Sequence, residues 1–389
     1  MKRNHVLLIT FLLIFTGKME SQIPVIDLFA QAKSEITAIS EIATDINYIP
    51  LQTNENSLIK YVYDLKPCND KFYISALSSI LCFDKSGKYL YKLDKQGRGP
   101  EEYTYITDWD LSPVNNLLTI LTSDKILIYN ITNGGFSFSK TLKISGQPHN
   151  IDFGIDQKSI LLSYGSSDGN EPFRNVLINL AGDTLKAVTN HYKYVKNNRL
   201  MFVAKWENLK FKNNNSLCYK FWLNDTVFTI EKSGKISPYL KLDSHGKQCT
   251  PSALADFNDE TFSKYLIVNS ISETQKYLFY TYRYEKSVHN IVYDKVTKKQ
   301  SFITVKSTKD TNWLIDDLSG GVNFDPKFIL DGNLYSWVNA LTLKQYVASD
   351  AFKNIIVKNP EKKMAIQKLA DSLDETDNPV LIIVTPKKY

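Results

Sequence analysis

A unit of about fifty residues recurs along this chain, and that repeat constrains its fold more than any other feature. Four segments share one plan: CFDKSGKYLYKL (82–93), IYNITNGGFSFSKTL (128–142), LINLAGDTLKAV (177–188) and FTIEKSGKISPYLKL (228–242). Each is an apolar strand, a polar turn containing glycine, and a second strand. A fifth, IVYDKVTKKQSFITV (291–305), keeps the pattern without the glycine. Taking Gly87, Gly134, Gly182 and Gly234 as markers, the spacings are 47, 48 and 52 residues. Each hairpin is preceded by two more alternating runs, such as KYVYDLK and KFYISA before the first. A period of this length with four short strands is that of an antiparallel blade.

The strands count to six such groups. The sixth, GVNFDPKFI, DGNLYSWV and the closing PVLIIVT, has only three strands, while INYIPLQT (46–53) stands unpaired at the start. Eight blades would fit the length, but the counted strands make six. The economical solution is that the first strand supplies the outer edge of the last blade, because ring closure protects edges that would otherwise invite aggregation. Residues 343–376 break the rhythm with a helix-like insertion in which Pro360 starts the second segment. The expectation is an all-β, six-bladed β-propeller of four-stranded antiparallel blades, closed by its N-terminal strand. Plentiful Tyr and Phe (23 and 20 residues) suit strands over helices.

The segment FDKSGKYLYKLDKQGRGPEEY resembles the signature of a six-bladed β-propeller family of exported Bacteroidetes proteins. There, an Asp-Gly hairpin leads into a corner like G-R-G-P-x-E-Y. LNDTVFTIEKSGKISPYLKLD resembles that family's fourth-blade hairpin, and DETDNPVLIIVTPKK its closing strand. The resemblance implies a fold and a cell-envelope address, and it implies no reaction.

The amino terminus points the same way. MKRNHVLLITFLLIFTGKMESQ has a basic start and an apolar run from Val6 to Thr16, too short to span a bilayer and suited to a signal peptide. Cleavage after Ser21 leaves residues 22–389 as the propeller and lowers the net charge from +6 to about +4. Members of the family that are lipoproteins carry a cysteine just after the apolar run. This chain has none before Cys68, so a periplasmic or secreted form without a lipid anchor is expected. No later run is long enough to cross a membrane as a helix, and no basic block interleaved with aromatics suggests nucleic acid. Cys68, Cys82, Cys218 and Cys249 allow three disulfide pairings. They show no C-x-x-C spacing and read as small apolar fillers on strands.

Candidate site residues come from the connections between blades, all expected on one face. In GRGPEEY the two glycines and Pro100 make a tight corner, with Arg98 able to fork onto Glu101 or Glu102. The same corner could turn Arg98, Glu101 and Tyr103 toward a ligand at the channel mouth. Trp109, His149 in GQPHN, and Trp313 and Asp316 in NWLIDD are placed on that face by the same logic. Aromatic rings beside carboxylates suit a glycan or peptide.

No H-E-x-x-H, G-x-S-x-G or phosphate-loop motif is present, and no metal, cofactor or catalytic group is expected. The leading reading is a non-enzymatic binding or scaffold propeller for a protein, peptide or glycan. Its rival is a propeller hydrolase or lyase using carboxylates that meet across the channel.

Overall fold

Six four-stranded antiparallel sheets stand around a central channel in the computed structural model of the chain. It describes residues 23–30, 34–165, 169–195, 207–213, 216–255, 263–303 and 314–389. The expected signal peptide lies outside these. The innermost strands, one per blade, are Asp64–Cys68, Asp108–Ser112, Asn150–Phe153, Asn208–Lys212, Ile267–Glu273 and Phe328–Leu330. The repeated segments of the sequence are the third and fourth strands, for example Ser79–Asp84 with Tyr89–Leu93 in blade 1. Three marker glycines, Gly87, Gly182 and Gly234, turn their hairpins at φ of +86°, +96° and +77°, where a side chain would be strained.

Strand alternation puts the same parts of every blade at each end of the ring. The turns between strands one and two, and the hairpins between three and four, share one end, here the turn end. Asn69 of blade 1 reaches the Pro113 carbonyl of blade 2 there at 3.4 Å, and Asn115 of blade 2 donates to the Gln157 carbonyl of blade 3. The connections between blades lie at the other, the mouth end. Apolar faces of neighbouring blades form the core between them. Between blades 1 and 2 it holds Tyr73, Cys82, Leu93, Tyr103, Trp109 and Leu118.

The N-terminal segment closes the ring as the repeat count requires. Ala43–Pro50 pairs antiparallel with Val380–Pro386 as the outer strand of blade 6. Upstream of it the chain does something the sequence did not signal. Val25–Asp27 adds a fifth, parallel strand to blade 4, and Ser34–Ile36 adds another to blade 5. Residues 25–30 and 34–50 thus run along the outside of three blades as a belt.

The helical insertion comprises Ala340–Ala348, Asp350–Asn354 and Pro360–Ser372. Pro360 starts the last of these, where its missing N–H costs nothing, and the Asn359 side chain caps it by accepting from Lys362 N at 3.1 Å. Leu343, Val347, Phe352 and Ile366 bury against blades 5 and 6. All four cysteines are free, with Cys82, Cys218 and Cys249 buried and Cys68 half-buried. Burial pushes the Cys249 thiol up to about 12.

Candidate functional site: a channel bridged by ion pairs

Charged residues alternate on the innermost strands: Asp64 and Lys66 on blade 1, Asp108 and Asp110 on blade 2, Asp152 on blade 3, Lys210 and Lys212 on blade 4. All line a cavity of about 2280 Å³ that runs between the blades. Two lysines of blade 4 reach past blade 3 to blade 2. Lys212 Nζ lies 2.7 Å from Asp110 Oδ2, and Lys210 bridges Asp152 and Asp108, the latter at 3.5 Å. Lys66 completes the set, 3.3 Å from Asp110 and 3.7 Å from Asp64, with its ammonium 5.3 Å from the Trp109 ring centre.

The aspartates of blade 2 also serve the sheet beside them. An innermost strand has an unpaired edge, whose N–H groups need acceptors. Asp108 Oδ2 accepts from Ile151 N at 2.9 Å, and Asp110 Oδ2 accepts from Phe153 N at 2.8 Å. Burial works against the charge on Asp110, but Lys212, Lys66 and the Phe153 N–H hold its carboxyl far below the usual range. On Lys66, burial is outweighed by Asp110, Asp64, Asp108 and Asp152, so its pKa stands well above an ordinary lysine. Lys210 is raised likewise, against burial, by Asp152 and Asp108. Asp152 moves up instead, because burial outweighs Lys210 and Asp110 adds to it. We call this array the ionic clasp. The inner strand of blade 5 presents Asn269, Ser270 and Ser272 to the lumen, with Glu273 at its end paired to Lys295 of the same blade.

At the mouth end stands a group of exposed apolar side chains. Tyr63 precedes the inner strand of blade 1, Tyr105 precedes that of blade 2, and Tyr61 meets Tyr63 edge-on at 6.5 Å. Leu77 is 72% exposed and sits at φ +56° in the turn between strands two and three of blade 1, a costly backbone for a leucine.

The residues singled out from sequence are dispersed around this channel. Tyr103 is fully buried; its hydroxyl donates to the Ser78 carbonyl at 2.8 Å, so it anchors the Leu77 turn from below. Arg98 is exposed, with no hydrogen-bond or ion-pair partner among the described residues. The fork onto a glutamate expected for it is absent there. Instead Glu102 braces the corner by accepting from Gly99 N at 2.8 Å. Neither Gly97 nor Gly99 has positive φ. A Cβ on Gly97 would stand 2.0 Å from the Glu102 carboxylate and would displace that brace. The Glu101 carbonyl accepts from Tyr129 Oη at 2.6 Å.

Trp109 is buried between blades 1 and 2. His149 is half-buried on the channel wall, and burial lowers its imidazole pKa despite Glu171. Asp316 is fully buried and organises its own loop, accepting from Ser319 N at 2.8 Å, Gly321 N at 2.9 Å and Tyr48 Oη at 3.1 Å. Trp313 lies outside the described residues. The clasp was missed, although its signal was in the sequence: DLK, DWD and KFK put charges two apart on first strands, where alternation turns them the same way.

Fold and channel define a six-bladed β-propeller with an ion-bridged lumen. The chain belongs to the DUF4934 family, a domain of unknown function, whose model matches residues 23–385. A candidate exported protein of Bacteroides fragilis has a similar structure, with a TM-score of 0.70 at 18% identity over 94% of this chain and 100% of that one. A DUF4221 family member from Bacteroides vulgatus aligns with a TM-score of 0.51 at 12% identity, over 89% and 97%. At such identities the likeness is one of fold. No curated protein matches the chain.

Proposed function

We propose that this propeller is exported to the bacterial cell envelope and acts there as a non-enzymatic binding module. It takes a peptide segment of a partner protein, or a glycan, at the mouth end of the channel. The observation that carries this reading is the exposed group Tyr61, Tyr63, Leu77 and Tyr105 beside an open lumen. Large apolar side chains held out at a concave opening are what a binding surface needs. The strained Leu77 turn adds to it, because Tyr103 holds in place a conformation that leucine does not favour.

Export rests on the basic-apolar start of the sequence and on a family match that begins at residue 23, just after the expected cleavage point. A hydrolase or lyase would need lumen carboxylates free to act on a substrate. Asp64, Asp108, Asp110 and Asp152 are each engaged by a lysine, which favours binding over catalysis.

The test is a thermal-shift screen of residues 22–389 against peptides and oligosaccharides, with Leu77→Ser, Tyr63→Ala and Arg98→Ala in parallel. A ligand at about a hundred times its dissociation constant stabilises by roughly 2.7 kcal/mol. The expected result is a shift in the parent that shrinks in Leu77→Ser and Tyr63→Ala. A shift that persists unchanged in both would place binding elsewhere. One lost only in Arg98→Ala would move the site to the GRGPEEY corner.

A further inference from the structure

The outer strands of five blades are each engaged by another part of the chain. Val25–Asp27 lies along residues 241–243 of blade 4, and Ser34–Ile36 along residues 301–303 of blade 5. On blade 6 the Ile46 carbonyl accepts from Lys362 Nζ at 2.6 Å. On blade 1 the Leu93 carbonyl accepts from Tyr103 Oη at 3.4 Å. On blade 2 Thr141 Oγ1 donates to the Pro100 carbonyl at 3.3 Å. The outer strand of blade 3, Thr184–Thr189, makes no hydrogen bond outside its own blade among the described residues. All of it but the half-buried Val188 is exposed, and Lys186 is its one charge. Free edges are usually covered or guarded by several charges.

This bare edge matches the one that takes the belt on blade 4. There the outer strand bulges at Tyr239, and the belt joins it from residue 241. On blade 3 the bulge falls at Leu185, so residues 187–189 hold the equivalent place. The directions of the main chain agree as well. On blade 4, Lys241 N donates to the Pro24 carbonyl at 2.9 Å, and the Asp243 carbonyl accepts from Leu28 N at 3.1 Å. On blade 3, Asn190 N donates inward to the Pro172 carbonyl at 2.9 Å. That turns the N–H and C=O of Thr189 outward, and those of Ala187 with them by alternation.

From this we infer that the outer edge of blade 3 takes an extended segment of a partner protein, added as a strand beside residues 187–189. The segment carries an aliphatic side chain opposite Val188, as Ile26, 3% exposed, stands opposite Leu242 on blade 4. Main-chain pairing supplies affinity in such a contact, and the inserted side chain supplies the choice of sequence. The belt also indicates that the strand comes from another molecule. Its own strands begin at Val25, Ser34 and Ala43, nine residues apart. The next step upstream falls at Thr16, within the leader. On the export reading that step is removed, and the chain brings nothing of its own to blade 3. The edge shares no residue with the mouth site.

The experiment is selection of a displayed peptide library on residues 22–389, with peptides about twelve residues long, enough for one strand and its flanks. Selected peptides are titrated into the parent and into Ala187→Pro. That substitution removes one outward donor at an edge position, where proline is tolerated, and should melt like the parent. Binding about tenfold weaker to Ala187→Pro is expected, while Tyr63→Ala and Leu77→Ser bind as the parent does. Bound peptide should slow amide exchange at Ala187 and Thr189. N-methylating alternate residues of the peptide removes the same hydrogen bonds without touching the protein, and should weaken binding likewise. Peptides that bind Ala187→Pro as tightly as the parent overturn the inference, as does a selection that yields none. Peptides lost only in Tyr63→Ala or Leu77→Ser would overturn it in favour of the mouth alone. Self-association of the parent that Ala187→Pro abolishes, with no peptide selected, would give the edge to a second copy of the chain.

Discussion

Gly87 and Gly234 occupy the same place in two hairpins but have different surroundings. Both sit in the left-handed region, at φ +86° and +77°. A Cβ on Gly234 would touch only Leu177 at 3.8 Å, whereas one on Gly87 would lie 2.0 Å from the Pro50 carbonyl oxygen. Gln52 N donates to the Gly87 carbonyl at 2.8 Å, so this hairpin receives the chain as it leaves the ring-closing strand. Gly234→Ala is expected to cost about 1 kcal/mol, the backbone term alone. Gly87→Ala should cost about 3 kcal/mol or more, because backbone must move. Urea melts of the two variants measure the difference, and equal losses would mean that the closing contact contributes nothing.

Lys220 offers a second test at this scale. It is 2% exposed, and among the described residues its ammonium makes one hydrogen bond, to the Phe221 carbonyl at 3.4 Å. Burial lowers its pKa to about 8, against the pull of Asp225. The unfolded chain then binds the extra proton between about pH 8 and 10.4, so this lysine makes stability rise with pH across that window. Lys220→Met should stabilise the protein at pH 7 by about 1–3 kcal/mol and remove that slope from a series of melts. A less stable variant would show that the ammonium has a use its surroundings do not reveal.

At the scale of elements, the belt separates into two parts with different work. Residues 25–36 add short parallel strands to blades that already have four. They bury Ile26, Leu28 and Ile36, and the Leu28 carbonyl accepts from Tyr282 Oη at 2.9 Å. Removing residues up to 36 should lower the melting temperature by several degrees and leave the far-UV spectrum intact. Removing residues up to 50 deletes a whole strand of blade 6, with buried Ala43 and Ile46, and should abolish cooperative unfolding. If both truncations melt alike, closure by Ala43–Pro50 is not the step that matters.

The same division explains what the sequence disclosed. INYIPLQT was legible because an eight-residue alternating strand had no partner and blade 6 lacked one. VID and SEI were not, because three residues carry no period, and their partners lie more than two hundred residues away. The charged first strands were legible as strands. Which lysine meets which aspartate depends on how far one blade leans past the next, and no local pattern records that. Asp316 shows the converse: an acidic residue near an aromatic looked like a ligand contact and proves to be loop scaffolding.

For the molecule as a whole, the clasp ties blades 1 to 4 together across the lumen, so its loss should be felt as loss of global stability. Asp110 has a depressed folded pKa, so its contribution is present above the unfolded carboxyl value of about 3.9 and is lost as pH falls below it. Asp110→Asn leaves Lys66 and Lys212 facing no charge there and should cost about 3 kcal/mol at neutral pH. The deficit should shrink in melts taken below about pH 4. A deficit that persists unchanged in acid would mean that the amide disturbs packing and that the charge is incidental.

Ring closure also sets a timetable. The strand Ala43–Pro50 is made more than three hundred residues before its partner Val380–Pro386. Its upstream neighbours wait as well, for Lys241–Asp243 and then for Ser301–Ile303. Contacts of such sequence separation form late, since a long loop must be closed before they can contribute. Until Val380–Pro386 arrives, Ala43–Pro50 has no sheet to join and the ring remains open. A polypeptide built this way leaves its ring open during passage through a translocation pore and closes it only when Val380–Pro386 has crossed.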